Sequence, residues 1–225
     1  MMLSELMPLY LSLRLALTAT LFGLLIGLPI AWFLGHTQWK GREVLDSLIS
    51  IPMVLPPTVL GYYLLLILGR NSWIGRLAER FGTPLVFTSR GAIIAATVVS
   101  IPFFIKSARA AIEGIPSDLL DAARVLGRTE INIFFSIVIP NAWKGITAGL
   151  VLMFARALGD FGTTLMVSGG IPGETLTMPI AIYNSMLAGD QAAANRLALI
   201  MAGTALLVLV LINVLTRQVG RRRNR

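Results

Sequence analysis

The sequence predicts an all-α, polytopic integral membrane protein with about five transmembrane helices. Two observations on composition support this fold class: 56% of the residues are hydrophobic and only 13% are charged, and the mean hydropathy is +0.78. A soluble domain of this size could not bury so much apolar surface. The third observation is that the Lys and Arg residues, which give a net charge of +8, flank the apolar runs instead of forming a basic patch. We therefore read them as determinants of topology and expect no nucleic-acid partner.

The apolar runs divide one transmembrane domain, residues 1–225, into spans of about 20 residues, the length that crosses ~30 Å of hydrocarbon. The first run is too long for a cleaved signal peptide. Pro52, Pro56 and Pro57 predict a kinked second span that packs against protein. The apolar segment 177–187 is about half the spanning length, so we expect a short re-entrant or interfacial helix there. The predicted spans are TM1 at about 15–34, TM2 at about 48–68, TM3 at about 91–110, TM4 at about 146–167 and TM5 at about 197–215.

The distribution of basic residues predicts the orientation. With five spans and the N-terminus outside, most Lys and Arg residues fall in cytoplasmic loops and in the C-terminal tail, as the positive-inside rule requires. Lys106 and Arg109 then mark a cytoplasmic helix end. His36 is the only histidine, and we interpret it as a solvated loop residue. The chain has no cysteine, which excludes disulfides and thiolate ligands, and we expect no metal site.

A charged stretch, residues 115–140, interrupts the apolar runs. Ser117 can cap a short helix, and Gly127 is a typical residue for its end. About ten residues cannot hold a helix alone in water, so this helix must pack on something. Thr129 and Glu130 predict the start of a second helix, which Pro140 should end or kink.

The same stretch carries Asp121-Ala122-Ala123, then Gly127, Ile137 and Ile139-Pro140. It resembles the cytoplasmic signature of the permease subunits of importing ABC transporters, with Asp in place of Glu and Ile in place of Leu. The resemblance implies the ABC importer type I permease fold and a coupling helix that docks on an ATPase subunit. The alternative is an interfacial helix that lies on the lipid headgroups. The candidate coupling residues are Leu119, Leu120, Asp121, Ala122, Ala123, Leu126, Gly127, Ile137 and Pro140.

Arg156 and Asp160 are ionisable residues inside the predicted TM4, one helical turn apart, so they can pair. Charged groups within a membrane are costly and usually face a protein interior or water. Arg156 could meet the charge of an anion in the pathway, or the two residues could pair with each other, or with Glu174, to hold the helix. The pathway candidates are Arg156, Gly159, Asp160, Gly162 and Glu174.

Residues 154–183 resemble the corresponding region of molybdate permeases, with sulfate permeases as close relatives. The sequences Gly159-Asp160-Phe161-Gly162 and Ile171-Pro172-Gly173-Glu174-Thr175 carry this resemblance. Sulfate, thiosulfate or tungstate remain alternative substrates, and an ATP-independent secondary anion transporter is the alternative class.

The resemblance implies a homodimer in the lipid membrane, cytoplasmic ABC ATPase subunits, and a periplasmic or extracellular oxyanion-binding protein. The pattern GxxxxGK[ST] is absent from the sequence. We therefore expect no ATPase activity and no cofactor on this chain, with ATP and Mg²⁺ on the partner ATPase.

Overall fold

The computed structural model describes residues 2–37 and 39–223, with side chains described for 6–37, 39–211 and 214. The regular elements in this part of the chain are all helices, and it contains no strand. The elements are α1 (Met2–His36), α2 (Arg42–Val54), α3 (Pro57–Leu68), α4 (Trp73–Arg80), α5 (Ser89–Glu113), α6 (Ser117–Val125), α7 (Glu130–Ile133), a π-helical turn (Phe134–Val138), α8 (Ile139–Leu158), α9 (Gly162–Ser168), α10 (Met178–Leu187) and α11 (Gln191–Arg223).

Within the described residues, four helical segments are long and apolar enough to cross a membrane: Leu6–His36, Ser89–Glu113, Glu130–Leu158 and Gln191–Leu211. A fifth crossing is possible if α2 and α3 together form one broken span. The all-α membrane fold with about five spans is therefore confirmed. The basic C-terminal tail that entered the orientation argument lies outside the described side chains.

The predicted second span is divided, because α2 and α3 meet at an angle of 113°. Leu55 and Pro56 have ψ values of 138° and 137°, both extended. A residue that precedes proline avoids the helical region, and here two such residues follow each other. The expected kink is thus a complete break, with Pro57 starting a new helix.

The central element is α5, which packs against α1 on one side and α8 on another. Gly145 of α8 lies so close to α5 that an added Cβ would overlap the Cβ of Ala111. The Ser107 hydroxyl donates a hydrogen bond of 2.9 Å to the Gly145 carbonyl at the same crossing. The main core extends along this contact and includes Phe104, Ile105, Ala108, Ile146 and Met153.

The helix does not end at Pro140. The backbone widens into the π-helical turn before the proline, where the Ile139 N–H donates to the Phe134 carbonyl. A wider turn accommodates a proline ring inside a helix, and such turns are a known source of helix irregularity. The chain therefore stays helical from Glu130 to Leu158.

The predicted fourth span, 146–167, also differs from the structure. Helix α8 ends at Leu158, and α9 starts at Gly162 after a short break. Glycines on both sides of Asp160 allow this break, because they lower the cost of leaving helical geometry.

The short helix expected at 177–187 is α10. It follows a turn in which Gly169 and Gly170 have φ values of +74° and +64°. Met178 and Ile180 are fully buried, and the Met178 N–H donates to the Ser12 hydroxyl of α1 at 2.8 Å. The first half of α10 is thus packed inside the protein, next to α1 and α11.

Candidate coupling and translocation residues

Helix α6 has two apolar faces with different environments. Leu120 and Ala123 are only 9% and 5% exposed and belong to the main core. Val125 and Leu126 are 87% and 79% exposed, and Leu119 is also exposed. One face therefore anchors α6 to the rest of the chain, whereas the other is open.

We call the open side of this region the outer face. It consists of Leu119, Val125 and Leu126, together with the exposed Ile131 and Phe135 that follow. Among the candidate coupling residues, Asp121, Ala122 and Gly127 are also exposed. Leu120 and Ala123 are covered by the chain itself, so a partner cannot reach them in this arrangement. Ile137 and Pro140 are half-buried and belong to the continuous helical segment Glu130–Leu158.

The ends of α6 follow from local sequence. Gly127 has φ +74°, and the Arg128 N–H donates to the Ala123 carbonyl at 3.1 Å, which closes the C-terminal end. Thr129 caps the next helix by accepting from the Asn132 N–H at 3.3 Å. The predicted role of Ser117 is wrong, because Ser117 is the first helical residue and no side chain caps this end.

Arg124 is the centre of an ionic cluster behind the outer face. Its guanidinium lies 2.5 Å from Asp121 and 2.8 Å from Glu130. The hydrogen bond to Glu130, helped by Asp121, raises the pKa of Arg124 above its ordinary value. Charge therefore joins the end of α6 to the start of α7.

The third contact of Arg124 is His36, whose Nε2 lies 2.5 Å from a guanidinium nitrogen. The prediction of a solvated loop histidine is thus wrong. The two residues are 88 positions apart, and no local pattern around His36 signals such a distant partner. His36, Arg124 and Glu130 line an open cleft of about 670 Å³ between α1, α5 and α6.

A second ionic cluster joins α2 to the end of α5. Asp46 pairs with Lys106 and lies 2.7 Å from Arg109. Arg109 also pairs with Glu113 at 2.8 Å, and Glu113 in turn pairs with Arg42. Helix α2 is therefore held against α5 by charge.

Arg156 of α8 pairs with Asp160, which lies in the break between α8 and α9, with 3.3 Å between Nη1 and Oδ1. The Asp160 side chain is completely buried, whereas that of Arg156 is partly exposed. Asp160 also accepts from the N–H and hydroxyl of Thr164, at 2.9 and 2.7 Å. A carboxylate at this place caps α9 and complements the positive end of its dipole.

The remaining pathway candidates are spread apart. Gly159 is exposed, and Gly162 is buried where an added Cβ would lie 3.2 Å from Pro57 of α3. The exposed Glu174 accepts from Ser89 through its carbonyl and lines a small crevice with Arg14, so it is not part of the Arg156 pair. No cluster of three or more His, Asp or Glu side chains in the described residues could hold a metal ion.

Residues 27–225 match the family described as binding-protein-dependent transport system inner membrane component. The chain is 42% identical over 209 residues to the molybdenum transport system permease protein ModB of Escherichia coli (strain K12), covering 92% of this chain and 91% of ModB. It is 34% identical to a probable sulfate transport system permease protein cysT of Chlorella vulgaris, covering 90% and 76% of the two chains. Among solved structures, it resembles an inward-facing form of the MetNI methionine ABC transporter with a TM-score of 0.78 and 20% identity, covering 97% of both chains.

Proposed function

Because the chain belongs to the binding-protein-dependent transport system inner membrane component family, we propose that it is the permease subunit of an ATP-driven ABC importer for molybdate. It acts as a multi-pass protein of the cytoplasmic membrane. The observation that supports molybdate as the substrate is the 42% identity to a molybdenum permease over 92% of the chain. Sulfate is the second candidate, supported by the 34% identity to a sulfate permease.

The outer face of α6 is the proposed docking site for a cytoplasmic ATPase. A short helix with exposed Val125 and Leu126 on one side and buried Leu120 on the other can bind a partner without detaching from its own core. Apolar surface excluded from water stabilises such a contact. The ATPase binds ATP and Mg²⁺. The outer face of α6 is the surface on which a conformational change of the ATPase acts.

Movement of α6 can reach the membrane helices through the core. Leu120 and Ala123 share one apolar cluster with residues of α1, α5 and α8. When ATP closes the ATPase dimer, a displacement of α6 therefore pushes on α5 and α8. We assign to this displacement the change between inward-facing and outward-facing states, with the pathway between two copies of the chain.

An oxyanion-binding protein outside the membrane delivers the substrate in this proposal, with the N-terminus outside and the C-terminus in the cytoplasm. Arg156 is the proposed contact for the anion, because its side chain is partly exposed while its partner Asp160 is buried. The bond to Asp160 fixes the guanidinium and neutralises part of its charge. The arginine can then guide an anion without retaining it.

Transport in proteoliposomes tests this function. The chain is reconstituted with its ATPase, binding protein is added on the outer side, and molybdate uptake is measured with ATP, without ATP, and with excess sulfate or tungstate. We expect uptake only with ATP and all three components. Molybdate flux through the chain alone would instead establish an ATP-independent transporter, and stronger uptake of sulfate than of molybdate would change the substrate.

A further inference from the structure

Besides its apolar contacts, the end of α1 makes a polar contact with residues 115–140, which we call the coupling region, through His36. Its Nε2 lies 2.5 Å from Arg124 of α6 and 3.5 Å from a carboxylate oxygen of Glu130 of α7. Arg124 also holds Asp121 and Glu130. Helix α1 is thereby joined by a polar contact to α6, which we propose as the docking helix for the ATPase.

The chemistry of this contact fixes the state of the imidazole. A guanidinium has only N–H donors, so Nε2 of His36 must be the acceptor, and the ring hydrogen must be on Nδ1. The groups that face His36 are Arg124 and Asp121 from α6 and Glu130 from α7, and Glu113 of α5 and Arg42 of α2 line the same cleft.

The imidazole is also fixed in position. It stacks with Trp32, one turn earlier on α1, at a centroid distance of 6.2 Å. Trp32 in turn contacts Phe134 of the π-helical turn at 4.5 Å. The ring therefore cannot turn away from Arg124 without also leaving its aromatic neighbour.

We propose that His36 is a positioning residue for coupling, which accepts the Arg124 hydrogen bond so that displacement of α6 moves α1 together with α5 and α8. The proposal rests on the proposed function, in which the ATPase displaces α6. Apolar contacts of Leu120 and Ala123 with the core resist separation but are not directional. A hydrogen bond with fixed geometry transmits movement along its own direction, which the apolar contacts do not.

A purely stabilising role does not fit the exposure of the cluster. The side chains of His36, Arg124 and Glu130 are 30%, 34% and 49% exposed. Ion pairs this open to water contribute little to folding stability. Removing the imidazole should therefore affect coupling while the protein still folds and binds its ATPase.

The test measures molybdate uptake and ATP hydrolysis in the same proteoliposomes, with ATPase and binding protein present. We expect His36→Ala to assemble normally and to lower the molybdate moved per ATP at least threefold. His36→Gln should restore the ratio, because the glutamine amide places an acceptor oxygen near the Nε2 position. His36→Lys should not, because an ammonium only donates and repels Arg124.

Lys40→Gln is the matched control, since it removes a charge from the loop that follows α1 without touching the cluster, and it should match the wild type. An unchanged ratio in His36→Ala, or equal ratios in His36→Gln and His36→Lys, overturns the positioning role. ATP-independent uptake by the wild type is a separate result. It overturns the proposed function, and the positioning role falls with it.

Discussion

Asp160 accepts a hydrogen bond of 2.9 Å from the backbone N–H of Thr164, and the same carboxylate pairs with Arg156 at 3.3 Å. One buried side chain thus links Arg156 in the last turn of α8 to Thr164 in the first turn of α9. The break in the fourth predicted span is therefore bridged by contacts of this carboxylate on both sides.

Asp160→Ala should destabilise the protein, because it removes the cap of α9 and leaves Arg156 without its partner. Loss of a cap alone costs roughly 0.5–2 kcal/mol, so we expect a lower thermal unfolding temperature in detergent. The unfolding temperature of Asp160→Asn should lie between those of Asp160→Ala and the wild type, since its amide oxygen still accepts from Thr164. Equal unfolding temperatures for Asp160→Ala and the wild type would show that the cap has no structural importance.

Val125→Asp or Leu126→Asp should weaken binding of the ATPase without affecting the fold. Both side chains are almost fully exposed, so a carboxylate costs nothing in the free chain but is unfavourable in an apolar contact. We expect at least tenfold weaker binding, about 1.4 kcal/mol, measured by co-purification or by titration with the ATPase.

Leu120→Asp is the matched variant on the opposite face of α6. Leu120 is buried in the main core, and a buried unpaired carboxylate is strongly destabilising. This variant should therefore express poorly or unfold early. Normal folding of Leu120→Asp with complete loss of ATPase binding would mean that the docking face is reversed.

Gly145→Val should push α5 and α8 apart. An added Cβ at Gly145 overlaps Ala111, whereas an added Cβ at Gly203 of α11 has no described atom within 4 Å. Overpacking of a close contact costs about 1–3 kcal/mol. We expect a lower unfolding temperature for Gly145→Val and little change for Gly203→Val, both measured in the same detergent. If the two variants unfold alike, the close crossing is not important for stability.

Arg156→Gln should lower molybdate uptake by about tenfold if the guanidinium meets the anion, since a hydrogen bond to a charged group contributes about 1.5–3 kcal/mol. Arg156→Lys should retain part of the activity, because it keeps the charge but not the forked geometry. Initial uptake rates at equal amounts of assembled complex give the comparison. Uptake and assembly that are both unchanged in Arg156→Gln would remove Arg156 from the pathway.

The sequence predicts features that depend on composition or on a few neighbouring residues. Runs of about 20 apolar residues predict the spans, and Gly127 and Thr129 predict helix ends through their own backbone and side-chain geometry. Pro56 and Pro57 predict an interruption for the same reason. Its 113° angle depends on what α2 and α3 pack against, and the prolines alone do not determine that.

Features that depend on distant contacts were not predictable in this way. Helix α6 has apolar residues on two sides, so periodicity alone could not tell that Leu120 faces the core and Val125 faces outward. His36 finds Arg124 only after α1 and α6 are placed side by side. The glycines beside Asp160 were a local signal for the break between α8 and α9, but the apolar run around them favoured a continuous span.

The π-helical turn affects how α7 is rotated about the helix axis relative to α8. Phe134, Val138, Ala142 and Ile146 are all buried in the main core although they are spaced four residues apart. In a regular α-helix each such step overshoots a full turn by roughly 40°, so the last residues would rotate away from the core. The wider turn absorbs part of this rotation. Deleting one residue from 134–138 would rotate α7 about the helix axis by roughly 100° relative to α8. The rotational position of α7 relative to α8 is therefore determined by the π-helical turn Phe134–Val138.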